Sequence, residues 1–169
     1  RGLGDVYKRQ ELGQKFVAFS RRGELVPDEL TIQLWAAHMD SRINSHQYKP
    51  DIDILVLDGI PRNAEQALIL ENHVKIHHVF HLSCPDRDEL ARRMRKRALK
   101  DNRMDDASED VIQRRIKLYE DETKPILNYY PNEICSEIDA TQSPAKVLYD
   151  ILARLQTLEV YQKIAKLTV

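Results

Sequence analysis

The sequence predicts an α/β fold built on a mainly parallel sheet, and three observations carry the prediction. Strand-like runs recur at residues 54–57, 76–82 and 134–138. The first of them, Ile-Leu-Val-Leu, is continuously apolar, as a parallel strand covered on both faces must be. Helical stretches separate the runs, and strands alternating with helices are the signature of an α/β layered fold.

Residues 11–22 read as a helix that stops at Gly23, a residue suited to a helix C-terminus. Leu25, Val26, Pro27 and Asp28 form a short connector, with Asp28 able to cap the next helix. In that helix Leu30, Leu34 and Ile43 fall near one face, with Trp35 and Met39 beside them. After the run at 54–57, residues 63–74 look helical. A strongly basic helix is predicted over 86–100, followed by a turn at Asp101 and Asn102. A long helix from about Ser108 reaches Tyr130, with Pro125 as its kink or break. Ser143 and Pro144 open a terminal helix, with proline well placed in the first turn. No internal repeat or low-complexity tract is present.

The chain's 169 residues are enough for one domain with a real core. Apolar residues make up 42% and charged residues 31%, a balance that excludes a disordered segment. A formal net charge of −1 leaves no whole-molecule field to attract nucleic acid or a membrane. Cys84 and Cys135 match no disulfide or CxxC pattern, which fits a reducing cytoplasm. No apolar run approaches membrane-spanning length, and no signal peptide is expected. Residues 1–10, RGLGDVYKRQ, show no periodicity and resemble the conceptual translation of a sequencing-adapter tail. They are expected to be non-native; an ordinary basic arm is the other reading.

Parallel sheets bind ligands beyond the carboxyl ends of their strands, and Leu57-Asp58-Gly59-Ile60-Pro61-Arg62 sits at such an end. Gly59 permits close backbone approach, Pro61 stiffens the turn, and Arg62 offers a bidentate fork for a phosphate. Gln66, one helical turn on, can donate and accept, which suits an adenine edge. Taken alone, this stretch could equally be a turn whose arginine pairs with a surface carboxylate. A second cluster comprises Arg92, Arg93, Arg95, Lys96 and Arg97, then Arg103, Asp105 and Asp106, then Arg114 and Arg115. Arg93 and Arg97 are four apart and share a helix face. A solvated basic helix or an RNA-binding patch is the bland alternative. Phosphoryl transfer, by contrast, needs several cations around a group whose charge spreads over three oxygens. His73, His77, His78 and His81 crowd one strand and its approach, but neighbours on a strand face opposite ways. No shared metal ion is expected there.

In order, these pieces resemble the adenylate kinase family of nucleoside monophosphate kinases. The matching residues begin with Gly23 to Glu29, then Leu57 to Arg62 with Gln66, then Arg93 and Arg97. They continue with Arg103-Met104-Asp105-Asp106, Arg115, Tyr119, Thr123-Lys124-Pro125, Tyr129-Tyr130 and Asp139-Ala140-Thr141. The resemblance implies a P-loop-kinase-like parallel sheet flanked by helices, and a monomer acting on ATP and AMP with no nucleic-acid or membrane partner. It implies that backbone groups of Glu24, Leu25 and Val26 contact the adenine and ribose of AMP. Gly59 and Arg62 would hold its ring and α-phosphate, and Gln66 would read adenine. Arg93 would stack on the ATP base, Arg97, Arg103 and Arg115 would gather round the phosphates, and Asp105 and Asp106 would order those arginines. Gln142 would offer a backbone carbonyl to the ATP adenine. Residues 11–169 would be one partial domain, with AMP-binding helices over 11–45, a short lid over 98–107 and core elsewhere. Residues 156–169 continue past the match and read as a packing helix.

Only residues 98–102 separate Arg97 from Arg103, which resembles the family's short-lid form and leaves no room for a four-ligand metal site. No zinc is expected; Mg²⁺ would be held mainly by ATP phosphates and water. The family's GxxxxGK[ST] loop occurs nowhere in the chain. The resemblance therefore implies that this loop and the first two strands lie upstream of Glu11. Loss of that phosphate cradle implies a nearly inactive polypeptide with unpaired strand edges, prone to poor solubility or a molten state. Two other readings stand beside adenylate kinase. Asn63 leans toward a pyrimidine (UMP/CMP) monophosphate kinase, and a non-catalytic nucleotide- or RNA-binding module would never have had the loop.

Overall fold

The computed structural model describes residues 11–15, 18, 26–102 and 104–166, with the side chains of Met104 and Asp105 outside that description. They divide into two compact units. One takes the residues up to Pro61, Glu65–Lys75 and those from Gln162; the other takes Arg62–Ala64 and Ile76–Tyr161. The chain is α/β, with a parallel pair of strands flanked by helices.

In the first unit residues 11–15 and 18 are helical; Gly23 and Leu25 lie outside the described residues. Helix α1 (Asp28–Asn44) opens without a side-chain cap, its N-cap position being Pro27. Asp28, predicted to cap it, is instead its first residue, and its carboxylate accepts from Gln66. The buried positions of α1 are Leu30 and Ile32. Two residues apart are about 200° apart on a helix, so α1 is covered on more than one side. Ile43, predicted to share the face of Leu30, is 37% exposed; thirteen residues at about 100° each carry it about 220° round the helix, away from that face. The helix ends at Ser45, and His46 turns the chain with φ 57°.

The predicted strand at 54–57 does not form. A strand exists through its ladder, and among the described residues none pairs with this run; Val56 is 78% exposed. Gly59 has φ 77°, in the left-handed region open to glycine. Helix α2 (Ala64–Leu70) is shorter than predicted because the chain turns at residues 71–73. It buries Gln66, Ala67 and Leu70.

The second unit carries the sheet. Strands β1 (Val79–Ser83) and β2 (Cys135–Asp139) run parallel, with Val79 opposite Cys135 and Ser83 opposite Asp139. The Ala140 N–H donates to the Ser83 carbonyl at 2.8 Å and continues the pairing. Helix α3 (Arg87–Lys100) is capped by Asp86, whose carboxylate accepts from the N–H groups of Asp88 and Glu89, both at 3.0 Å. It closes at Asp101, and Asn102 takes φ 54°, a turn conformation that asparagine tolerates. A 3₁₀ turn (Met104–Ala107) leads into α4 (Glu109–Leu118). Ile112 and Ile116 of α4 and Ala91 of α3 form a buried cluster, with Leu90 and Met94 packed against it.

The long helix predicted to break at Pro125 breaks sooner. A π-turn (Tyr119–Thr123) follows α4, closed by Lys124 N–H donating to the Tyr119 carbonyl at 2.8 Å. Pro125 then stands at the N-cap of α5 (Ile126–Tyr129). After β2, Ser143 caps α6 (Pro144–Leu155), with proline at its start, and α6 packs on β2. His78 and Arg154 meet on Ser136: His78 Nε2 lies 2.9 Å from its hydroxyl, and Arg154 Nε donates to it at 3.0 Å. The last described helix is α7 (Glu159–Ala165), within the tail read as a packing helix.

Candidate nucleotide site

Each unit carries its own share of the predicted residues. In the first, Glu24 and Leu25 lie outside the described residues and Val26 is half-buried. Gly59 is exposed on its positive-φ turn. Gln66 is 5% exposed, and its Nε2 donates to Asp28 Oδ1 at 2.5 Å. A carboxylate can only accept, so Asp28 fixes which end of the Gln66 amide faces it.

In the second unit Arg62 is exposed, and its carbonyl accepts from the Thr123 hydroxyl at 2.8 Å. Arg93 is held on three sides. Its Nη1 donates to the Ala140 carbonyl, its Nη2 to the Thr141 carbonyl at 2.6 Å, and its Nε to Glu89 at 2.6 Å. With edge donors so engaged, the flat guanidinium keeps a fixed plane, the property a stacking surface needs. Arg93 therefore ties α3 to the loop after β2 that carries Gln142. The Gln142 amide itself donates to the Asp139 carbonyl and to Asp150 Oδ2, both at 3.1 Å. Arg97, one turn beyond Arg93, is largely exposed, with Nε 3.8 Å from Asp101 Oδ2. Arg115 on α4 lies 3.4 Å from Asp106 Oδ2. Arg103 and the Asp105 side chain lie outside the described residues. Arg97 and Arg115 thus rest on different carboxylates.

The electrostatics follow from these contacts. Glu89 takes hydrogen bonds first from Arg92 and then from Arg93, which lower its pKa from 4.5 to about 2. The Thr141 hydroxyl, and after it the Thr141 N–H, hold the Asp139 carboxyl below its ordinary value. Burial raises Tyr119, whose hydroxyl lies 2.9 Å from His81 Nε2. Burial, and then Arg154, lower His78.

Several of these partners escape sequence reasoning. Glu89 stands three and four residues before Arg92 and Arg93, a spacing that could have revealed it. Asp28 with Gln66, and Thr123 with Arg62, are separated by 38 and 61 residues and leave no local signal. Among the described residues no group of three or more His, Cys, Asp or Glu side chains could hold a metal ion. No helix among them is long and apolar enough to cross a membrane.

The family model for adenylate kinase matches residues 4–135, more than half of the chain. The chain belongs to the adenylate kinase family. It is 34% identical to an adenylate kinase of Thermobifida fusca over 151 residues, covering 81% of this chain and 74% of that protein. It is 35% identical to one of Bifidobacterium longum, covering 75% and 69%. A Cyanothece adenylate kinase is 33% identical over 165 residues, covering 90% and 77%. The adenylate kinase family match starts inside the segment 1–10 and runs through Arg62, Gln66, Arg93, Arg97 and Arg115. It stops at the first residue of β2, so Asp139 and Gln142 lie beyond it.

Proposed function

We propose that the chain derives from a nucleoside monophosphate kinase that moves a phosphoryl group reversibly from Mg·ATP to AMP, giving two ADP. The observation that carries this is family membership, with Arg62, Gln66, Arg93, Arg97 and Arg115 standing in family order. Arg62 meets the AMP α-phosphate and Gln66 the adenine. Arg93 offers its fixed plane to the ATP base, and Gln142 a backbone carbonyl. Arg97, Arg103 and Arg115 surround the transferring group, with Asp105 and Asp106 ordering them. Transfer is by in-line attack, so these groups position and stabilise rather than react. Mg²⁺ rides on the ATP phosphates, and no step is routed through an ion held by the chain. We read residues 11–169 as one partial domain of this kinase, with 98–107 as its short lid, and the kinase itself as a cytoplasmic monomer.

These 169 residues contain no GxxxxGK[ST] loop, whose backbone N–H groups and lysine would cradle the donor phosphates. By themselves they should turn over slowly or not at all. Loss of a single transition-state arginine costs about 10³–10⁵ in rate in related transfers, and loss of the cradle should be no milder. A coupled ADP-formation assay with AMP, CMP and UMP tests both statements. It should be run on this chain and on the chain extended by the coding sequence upstream of the Glu11 codon. AMP-preferring turnover only with the extension is expected. Turnover near about one per second by the 169 residues would overturn the inactivity. A preference for CMP or UMP would favour the pyrimidine reading that Asn63 raises. An upstream native start codon without the loop motif would favour a binding module.

A further inference from the structure

The π-turn after α4 is pinned at three of its residues. Tyr119 meets His81 of β1 at 2.9 Å, and Glu120 takes an ion pair from Arg87 at the start of α3, at 2.7 Å. Thr123 donates its hydroxyl to the Arg62 carbonyl at 2.8 Å. A threonine in a regular helix usually turns its hydroxyl back to its own preceding turn. Here the wider turn takes an extra residue, which carries Thr123 off the face an α-helix would give it. Its hydroxyl is spent on a chain segment 61 residues away. Residues 58–63 form neither helix nor strand, so no backbone ladder fixes them in place.

We propose that Thr123 is a positioning residue for the acceptor phosphate. Anchored by β1 and α3, the π-turn presents the Thr123 hydroxyl to the Arg62 carbonyl. It thereby fixes the backbone from which the Arg62 guanidinium reaches. The inference rests on the reading of Arg62 as the AMP-phosphate ligand. A fork that must meet phosphate oxygens in two parallel bonds loses more from a displaced backbone than a point charge would.

The test measures AMP and adenosine binding by titration calorimetry on the 169-residue chain, needing no turnover. Thr123→Val removes the hydroxyl at nearly constant shape. It should weaken AMP roughly three- to tenfold, the worth of one hydrogen bond, and leave adenosine unchanged. Thr123→Ser should restore AMP binding. In an Arg62→Ala background Thr123→Val should have no further effect on AMP, because the coupling runs through Arg62. Unchanged AMP affinity in Thr123→Val, or equal weakening of AMP and adenosine, would overturn the proposal in favour of simple packing. If Thr123→Val melts differently from the wild type, Thr123→Ala against Thr123→Ser gives the same comparison. A wild-type chain that binds AMP no better than adenosine would bring down the Arg62 reading itself, an outcome distinct from a silent Thr123.

Discussion

At the scale of single residues, charge is committed to partners before any nucleotide arrives. Glu89 is the clearest case, gripping Arg92 and Arg93 from one carboxylate at 2.6–2.8 Å. Its pKa falls from 4.5 to about 2, chiefly through the Arg92 hydrogen bonds and then those of Arg93. A carboxylate whose folded pKa is depressed adds stability that is fully present above its unfolded pKa. That stability is lost as pH drops through the folded value. The window is therefore about 4.5 down to about 2. Chemical denaturation across that range should show stability falling with acid, and Glu89→Gln should flatten the fall. A Glu89→Gln chain with the wild-type acid profile would place the acid sensitivity elsewhere. Sequence spacing foretold that Arg93 and Arg97 share a helix face. It could not foretell that Arg93 would spend its edge on the Ala140 and Thr141 carbonyls, because that contact depends on where β2 ends beside α3.

At the scale of elements, local signals locate helix starts to within a residue, whereas an element that needs a distant partner leaves no such signal. Ser143 caps the helix it precedes, because capping is decided within four residues. Asp86, read as the first residue of its helix, is the cap instead, and Asp28, read as a cap, lies one residue inside. Pro144 starts α6 for the same kind of reason. The run at 54–57 looked like a buried strand, but apolar composition supplies no ladder, and no described strand pairs with it. The π-turn was equally hidden, since no single residue type marks a change from α to π hydrogen bonding. Packing of α3 on α4 hangs on Ile112, which has no exposed surface, with Ile116 and Ala91 around it. Ile112→Ala should cost about 2–5 kcal/mol, the transfer of the lost methyl groups plus the cavity they leave. Urea unfolding measures it. Because Arg93 and Arg115, both in the proposed nucleotide site, stand on these same helices, nucleotide binding should weaken in parallel, whereas Leu118→Ala, at a site 54% exposed, should change little.

For the molecule as a whole, the question is how much surface the described residues leave open. The largest side chains that are fully buried are Ile32 and Leu70 in the first unit and Ile112 in the second. β1 and β2 each have one neighbour among the described strands, so each presents an outer row of backbone donors and acceptors. Leu82 on β1 is 49% exposed. On α6, Leu148 and Leu152 lie one turn apart and are 56% and 46% exposed, with Tyr149 beside them at 65%. Open strand edges and a row of exposed apolar side chains both favour chain–chain contact, and a net charge of −1 offers little repulsion against it. The chain should therefore self-associate as its concentration rises, and its urea transition should be broad and move with protein concentration. Light scattering and unfolding curves over a hundredfold dilution series read both effects. Charged substitution of the α6 row, Leu148→Lys with Leu152→Glu, should reduce the association while leaving the Ile112 cluster on α3 and α4 intact. A single sharp transition at the same urea concentration throughout the series would overturn this, and would mean that the edges and the α6 row are covered within one chain.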